Sequence, residues 1–130
     1  MQNLPIDSQI TFVYVRDLER AARFYQDILG FSLVLDQGSC RIYRVAGDRA
    51  FLGICEGETA AASRDGLIFT LVTADVDGWY QRITSRGWTC EQAPGINERF
   101  QIYHFFVRDP DGYLLEIQRF QTPDWHARGA

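Results

Sequence analysis

A histidine and a glutamate in the last third of the chain are the side chains best suited to acid–base chemistry. His104 lies in the segment Tyr-His-Phe-Phe-Val at 103–107, and Glu116 lies in the segment 113–118 that follows a short turn. An imidazole exchanges protons near neutral pH, and a carboxylate accepts a proton or anchors a cationic ligand. If the two segments are strands of one hairpin, they predict a polar site among aromatic side chains.

The turn between these segments predicts how the two strands pair. In the sequence Asp-Pro-Asp-Gly at 109–112, the proline suits the first central position of a type I turn. The glycine supplies the left-handed residue of a three-residue hairpin loop. This loop places His104 opposite Gln118 and Phe106 opposite Glu116. Because side chains alternate along a strand, these four residues are predicted to share one face.

The hairpin completes the second of two similar halves of the chain. Each half is predicted to contain a strand, a helix and three further strands. The helices begin after Asp17 and Asp75, which serve as N-caps, and end at Gly30 and Gly87. Residues 93–98 are predicted to form a loop. The predicted strands lie at 9–15, 31–35, 41–45 and 50–55, and then at 67–72, from Trp88 onward, at 103–107 and at 113–118.

This repetition predicts the domain organisation. Segment 10–15 matches 67–72, and segment 50–55 matches 113–118, which indicates duplication of one unit. We therefore predict an α+β fold in a single domain that spans residues 1–130. Its parts are a first βαβββ module at 8–56, a linker at 57–65, a second βαβββ module at 66–120 and a tail at 121–130.

Composition and charge exclude several classes of partner. The net charge of −4 argues against nucleic acid, which requires clustered Lys and Arg. The chain has no run of about 18 apolar residues, so we expect no membrane span. Its three cysteines, Cys40, Cys55 and Cys90, are widely spaced and form no Cys-x-x-Cys motif. This pattern favours reduced thiols, and we expect the protein to be cytoplasmic.

Three motifs together carry a family resemblance. They are Val-Arg-Asp-Leu at 15–18, Leu-Gly-Phe at 29–31, and Asp-Pro-Asp-Gly-Tyr at 109–113 followed by Glu116. With these motifs the chain resembles the vicinal oxygen chelate superfamily, which includes glyoxalase I, bleomycin-resistance proteins and extradiol dioxygenases. The resemblance implies two βαβββ modules that form a cup-shaped, partly open barrel, usually in a dimer. We expect a homodimer, because one helix in each module leaves sheet surface to be covered.

The resemblance also implies where a metal would bind. Metal-dependent members take one ligand from each of four equivalent strand positions, which fall here on Ile10, Gly53, Leu67 and Glu116. Only Glu116 has a donor atom, whereas a catalytic divalent ion needs about three protein ligands. We therefore expect no metal and no cofactor. The space beside Gly53 is predicted to hold either ligand or a closely approaching backbone.

Strand alternation places four aromatic residues on the inward face with Ile10, Leu67 and Glu116. These residues, which either bind ligand or form plain core, are Phe12, Tyr14, Phe69 and Phe106. Cys55 is predicted to face inward beside them as a buried, inert thiol. Gln118 is predicted to fix the polar part of a ligand or to hydrogen-bond with His104. Glu116 is predicted to be an anchor or base, or else a carboxylate that is solvated or paired with an arginine.

Two functions remain open at this point. The preferred one is a metal-independent small-molecule binding protein, such as a resistance or sequestration protein, with an aromatic-walled cavity. Its ligand would be cationic or aromatic, because the Glu116 carboxylate favours a cation or a hydrogen-bond donor and the aromatic walls suit a flat molecule. The alternative is a lyase, isomerase or dioxygenase of the same superfamily. In that case Glu116 and His104 would be catalytic, with or without a divalent metal.

Overall fold

A computed structural model describes residues 4–57 and 66–127 of the chain. The chain divides into two compact units, Met1–Ala62 and Ser63–Ala130. The boundary between them falls within the predicted linker 57–65, of which residues 58–65 lie outside the described residues. Among the described residues, no helix is both long enough and apolar enough to cross a membrane.

The first unit contains one open four-stranded mixed sheet. Its elements are β1 (Gln9–Val15), α1 (Leu18–Arg23) with a π-helical continuation (Phe24–Ile28), β2 (Ser32–Asp36), β3 (Cys40–Ala46) and β4 (Ala50–Glu56). The strand order is β1-β4-β3-β2, with β1 parallel to β4 and the remaining pairs antiparallel. Such an order requires a crossover between β1 and its parallel neighbour, and the chain makes it through α1, β2 and β3.

Local signals in the sequence explain where α1 begins and where its π-helical continuation ends. The side chain of Asp17 accepts a hydrogen bond from the backbone N–H of Arg20 at 3.1 Å, which caps the first turn. Gly30 follows the helical segment with φ = 81°, a conformation that costs glycine little. Tyr25 from this segment and Tyr43 from β3 are fully buried with stacked rings. The helix therefore covers one face of the sheet and leaves the other face open.

The second unit repeats this plan. Its elements are β5 (Ile68–Val72), α2 (Val76–Ser85), β6 (Gly95–Asn97), β7 (Ile102–Arg108), β8 (Leu114–Phe120) and a final 3₁₀ turn (Trp125–Ala127). The strand order is β5-β8-β7-β6, with β5 parallel to β8. Asp75 caps α2 by accepting a hydrogen bond from the N–H of Gly78 at 3.0 Å. The two similar open sheets confirm the predicted α+β fold of two βαβββ modules.

The predicted hairpin between β7 and β8 is confirmed in its register and its turn. The backbone N–H of Asp109 bonds the carbonyl of Tyr113 at 2.9 Å, and Gly112 adopts φ = 88°. The Asp109 side chain is buried and accepts hydrogen bonds from the N–H groups of Asp111 and Tyr113, at 2.9 and 2.8 Å. A buried carboxylate that accepts two backbone donors fixes the turn, and the turn fixes the strand pairing.

One predicted strand of the second unit is placed wrongly. No strand begins at Trp88; instead its indole Nε1 donates a hydrogen bond to the carbonyl of Arg108 at 2.8 Å. The strand that pairs with β7 is β6, Gly95–Asn97, inside the segment predicted as a loop. β6 is only three residues long and includes glycine, so it carries little alternation from which a sequence could predict it.

The prediction of three reduced cysteines is also wrong. Cys40 and Cys55 lie directly opposite each other on β3 and β4, with their Cα atoms 4.1 Å apart, and form a disulfide. Cys90 is the free cysteine of the described residues. The sequence did not reveal the pair for two reasons. The two cysteines are separated by 14 residues, and the predicted third strand begins one residue after Cys40, so Cys40 was not placed on a strand opposite Cys55.

Candidate functional site

The four residues predicted to share one face of the hairpin do so. His104 lies opposite Gln118, and Phe106 lies opposite Glu116, across the antiparallel pair β7/β8. On the other side of β8, Thr70 of the parallel strand β5 is the neighbour of Glu116. The central strand β8 thus presents its carboxylate between one polar neighbour on β5 and an aromatic neighbour on β7.

The Glu116 carboxylate is bound by two side chains within the second unit. Its Oε2 lies 2.6 Å from Nδ1 of His104, and its Oε1 accepts a hydrogen bond from the Thr70 hydroxyl at 3.2 Å. A carboxylate that carries no proton only accepts hydrogen bonds, and in that state Nδ1 is the donor in this contact. The other ring nitrogen, Nε2, has no hydrogen bond to any residue in the described part of the chain. This arrangement excludes the arginine pairing of Glu116 and the bond between His104 and Gln118 that the sequence left open.

These residues open onto a cavity of about 450 Å³ in the second unit. Its polar lining consists of one carboxylate, one imidazole and two carboxamides, from Glu116, His104, Gln118 and Asn97. Its apolar lining is aromatic and branched, from Ile68, Phe100, Ile102, Phe106 and Phe120. This volume falls within the range of pockets that bind small organic ligands, and the few polar groups would orient such a ligand.

Several aromatic rings line this cavity and pack against neighbouring rings. The His104 and Phe106 rings meet edge to face, with centroids 5.1 Å apart. Phe120 packs against Trp125 from the final 3₁₀ turn at 4.5 Å, and Phe100 is 60% exposed on its loop. An aromatic lining of this kind favours flat ligands, because each ring offers a π face or a positive edge.

Phe69 does not belong to this site, contrary to the prediction. It pairs with Leu115 on β8, and its ring lies 6.2 Å from that of the buried Tyr113, on the face opposite Glu116. Ile68 and Thr70 hold the places that the sequence assigned to Leu67 and Phe69. The predicted match between segments 10–15 and 67–72 was off by one residue, and a shift of one residue turns every side chain to the other face.

The remaining predicted site residues, Phe12, Tyr14 and Cys55, lie in the first unit and do not line this cavity. Phe12 and Tyr14 stand on the open face of the first sheet and are 50% and 61% exposed. The Phe12 ring lies directly over Gly53: a Cβ built on this glycine would meet the Phe12 Cδ1 at 2.3 Å. The space beside Gly53 is therefore filled by an aromatic ring. Cys55 is in the disulfide with Cys40, so it is not a free thiol.

Several cavity residues were not predicted from the sequence. Ile102 and Phe120 continue the alternation of His104 and Glu116 along β7 and β8, so strand parity was a usable signal for both. Asn97 and Phe100 lie in and after the short strand β6, which had been predicted as a loop. Their places depend on the Asn97 side chain, which accepts a hydrogen bond from the N–H of Phe100 at 3.1 Å.

Two βαβββ units, the second with a carboxylate on the open face of its last strand, define the class of this protein. The chain belongs to the Glyoxalase/Bleomycin resistance protein/Dioxygenase superfamily, whose family model matches residues 8–117. Among curated proteins, it is 29% identical over 121 residues to lactoylglutathione lyase of Haemophilus influenzae, covering 82% of this chain and 87% of that protein.

Solved structures show the same fold at lower identity. An integron cassette protein from the mobile metagenome of the Halifax Harbour sewage outfall superposes with a TM-score of 0.74 at 22% identity, covering 87% of this chain and 97% of that one. Lactoylglutathione lyase from Agrobacterium tumefaciens superposes with a TM-score of 0.71 at 22% identity, covering 95% of this chain and all of that one. At these identities the likeness concerns the fold alone.

The donor set of this chain does not fit the metal site that the superfamily implies. Of the four equivalent strand positions at which metal ligands are expected, the one assigned to Leu67 is held by Ile68 in the register of β5 with β8. Neither side chain has a donor atom. Ile10 also lacks one, and a Phe12 ring covers Gly53. Within residues 4–57 and 66–127, no three His, Cys, Asp or Glu side chains are grouped to hold an ion.

Proposed function

We propose that this chain is a small-molecule binding protein that acts without the superfamily metal, in the manner of a resistance or sequestration protein. The binding site is the cavity of the second unit. The observation that carries the proposal is the Glu116–His104 pair, held at 2.6 Å inside an aromatic lining. The ligand is a flat aromatic molecule with a cationic or hydrogen-bond-donating group.

The charge of the lining supports this ligand class. Among the described residues that line the cavity, Glu116 is the one carboxylate and none is a Lys or Arg. Glu116 is 9% exposed, so an ammonium group placed beside it would be partly desolvated and its attraction less screened. The rings of Phe100, Phe106 and Phe120 supply stacking area, and cations are also attracted to aromatic faces.

A charge series on one ring system tests the proposal. The probes are 1-naphthylmethylammonium, 1-naphthylmethanol and 1-naphthoate, measured by calorimetry and by the shift in unfolding temperature. We expect the ammonium compound to bind about 10-fold or more tightly than the alcohol, because hydrogen bonds to charged groups contribute about 1.5–3 kcal/mol. Glu116→Gln should abolish this preference and keep the binding of the alcohol.

The matched control is Glu98→Gln, which makes the same change in charge at an exposed residue near the cavity. It should leave the preference for the ammonium compound unchanged. Equal binding of all three probes, or an equal loss in both variants, would overturn the assignment of Glu116. Calorimetric titration with Zn²⁺, Ni²⁺ and Mn²⁺ tests the other half of the proposal, because stoichiometric binding would contradict metal independence.

A lyase or isomerase activity is the second candidate, and one observation favours it. Because Nδ1 of His104 bonds Glu116, the ring is oriented and its Nε2 is left to take a proton from a bound substrate. The relative of 29% identity is named as lactoylglutathione lyase. The assay is formation of lactoylglutathione from glutathione and methylglyoxal with a chelator present. If the wild type turns over these substrates and both His104→Gln and Glu116→Gln abolish the turnover, the protein is an enzyme and not a binding protein.

A further inference from the structure

The disulfide of the first unit stands where the second unit has part of its polar site. In the duplication, segment 50–55 matches 113–118, so Cys55 corresponds to Gln118. Cys40 pairs with Cys55 across β3/β4 just as His104 pairs with Gln118 across β7/β8. The two units therefore carry different chemistry at the same place: a disulfide in one, and an imidazole with a carboxamide in the other.

The two sulfurs lie on the open face of their sheet. Along β4, the neighbouring residue Ile54 is fully buried on the face that α1 covers, and Cys55 points to the opposite side. Both cysteines are partly exposed, and Tyr14, the neighbour of Cys55 on β1, is largely exposed. A small thiol can reach the bond from this side without separating the helix from the sheet.

Hydrogen bonds hold the strands together on both sides of the pair. The N–H of Glu56 bonds the carbonyl of Ser39 at 2.8 Å, and the next pair inward in the register is Arg41 with Ile54. The backbone ladder therefore does not depend on the covalent link. When the bond is reduced, the two thiols remain opposite each other at a high effective concentration, which favours closing the bond again.

We propose that Cys40 and Cys55 form a reversible two-electron redox site whose substrates are low-molecular-weight thiols and disulfides such as glutathione. A glutathione thiolate attacks one sulfur, forms a mixed disulfide and releases the other cysteine as a thiolate. A second glutathione thiolate attacks the glutathione sulfur of that mixed disulfide and expels the cysteine thiolate, which gives one glutathione disulfide and, after proton uptake, two cysteine thiols. The reverse sequence oxidises the pair, and the two electrons pass to glutathione disulfide.

Cys90 provides an internal reference for this site. Burial raises the pKa of its thiol from the ordinary value of 9.0 to about 11. A thiol that is almost wholly protonated at neutral pH exchanges slowly, since the thiolate is the nucleophile. Cys90 should therefore remain a free thiol while the Cys40–Cys55 pair changes its state.

The test equilibrates the full chain in glutathione buffers that range from mostly reduced to mostly oxidised. Samples are quenched with acid, unfolded, labelled with a maleimide and weighed by mass spectrometry, and far-UV circular dichroism is recorded before quenching. We expect three labels in reducing buffer and one in oxidising buffer, with an unchanged spectrum. The control Cys90→Ser should give two labels in reducing buffer and none in oxidising buffer, with the transition at the same buffer ratio. Cys40→Ser should trap glutathione on Cys55.

Three results would overturn the proposal. One label at every buffer ratio, with three appearing only after denaturation, would make the disulfide a permanent structural link. Three labels at every ratio would mean that glutathione does not maintain the bond. Loss of the folded spectrum on reduction would show that the pair holds the unit together. None of these results bears on ligand binding by Glu116, so the redox proposal and the proposed function are tested independently.

Discussion

The contact between Phe12 and Gly53 predicts a specific pair of stability changes. Gly53 lies at the centre of β4, and a Cβ added there would come within 2.3–3.1 Å of three atoms of the Phe12 ring. Real Cβ atoms do not approach other atoms so closely, so Gly53→Ala must displace the ring. By the family resemblance, this is also the position at which metal-dependent members carry a ligand.

The size of the effect follows from two opposing contributions. Overpacking a core typically costs about 1–3 kcal/mol, and because the Phe12 ring is 50% exposed and can move towards solvent, we take roughly 1–2 kcal/mol for this clash. Replacing a strand glycine by alanine returns roughly 0.5–1 kcal/mol, because alanine loses less backbone entropy on folding. We therefore expect Gly53→Ala to destabilise the protein by about 1 kcal/mol in the wild-type background. In the Phe12→Ala background the clash is absent, and the same substitution should stabilise the protein by roughly 0.5–1 kcal/mol.

Urea unfolding followed by far-UV circular dichroism measures the four proteins of this double-mutant cycle. Gly95→Ala is the matched control, because Gly95 is also in a strand but has no heavy atom within 4 Å of a built Cβ. It should have the same small effect in both backgrounds. The reasoning is refuted if Gly53→Ala changes the free energy of unfolding equally with and without the Phe12 ring.

Three further predictions concern the turn, the free thiol and assembly. Asp109→Ala leaves the buried N–H of Tyr113 and the partly buried N–H of Asp111 without their acceptor and should cost about 2–4 kcal/mol in urea unfolding, whereas Asp48→Ala on an exposed turn should cost little. The pKa of the Cys90 thiol is raised from 9.0 in the unfolded chain to about 11 in the folded protein. The folded state therefore favours the neutral thiol, and the free energy of unfolding should fall as the pH rises from 9.0 towards about 11. Urea midpoints of the wild type should fall more steeply across that window than those of Cys90→Ala, and parallel curves would contradict this. Light scattering should give twice the mass of one chain, because apolar side chains such as Leu33 remain exposed on the edge strand β2; a monomer at high concentration would reject the expected homodimer.

The hairpin at the candidate site was predictable because its register is set locally. The turn at 109–112 has a proline and a glycine in positions that each demand a particular φ, and it links two antiparallel strands directly. Once this turn is recognised, alternation places His104, Phe106, Glu116 and Gln118 on one face without further information. The helix starts were predictable for a similar reason, since each N-cap bonds the chain three residues ahead.

The parallel neighbour of this hairpin could not be placed in the same way. β5 and β8 are separated by α2 and two other strands, so no turn links their register. Segment 67–72 is apolar at most positions, and its pattern fits Phe69 or Thr70 beside Glu116 equally well. Packing decided in favour of Thr70, which hydrogen-bonds the carboxylate, while Phe69 packs near Tyr113 on the covered face.

The sequence by itself determined the order of strands and helices, the hairpin turn and the superfamily, because each depends on residues that are close along the chain. Only the tertiary structure decided that Glu116 bonds His104, that Cys40 meets Cys55 and that Phe12 covers Gly53. Each of these contacts joins residues from different strands, and its geometry depends on how the whole sheet is paired. The sequence therefore indicated which side chains could carry the chemistry, and the tertiary structure showed which side chains they contact.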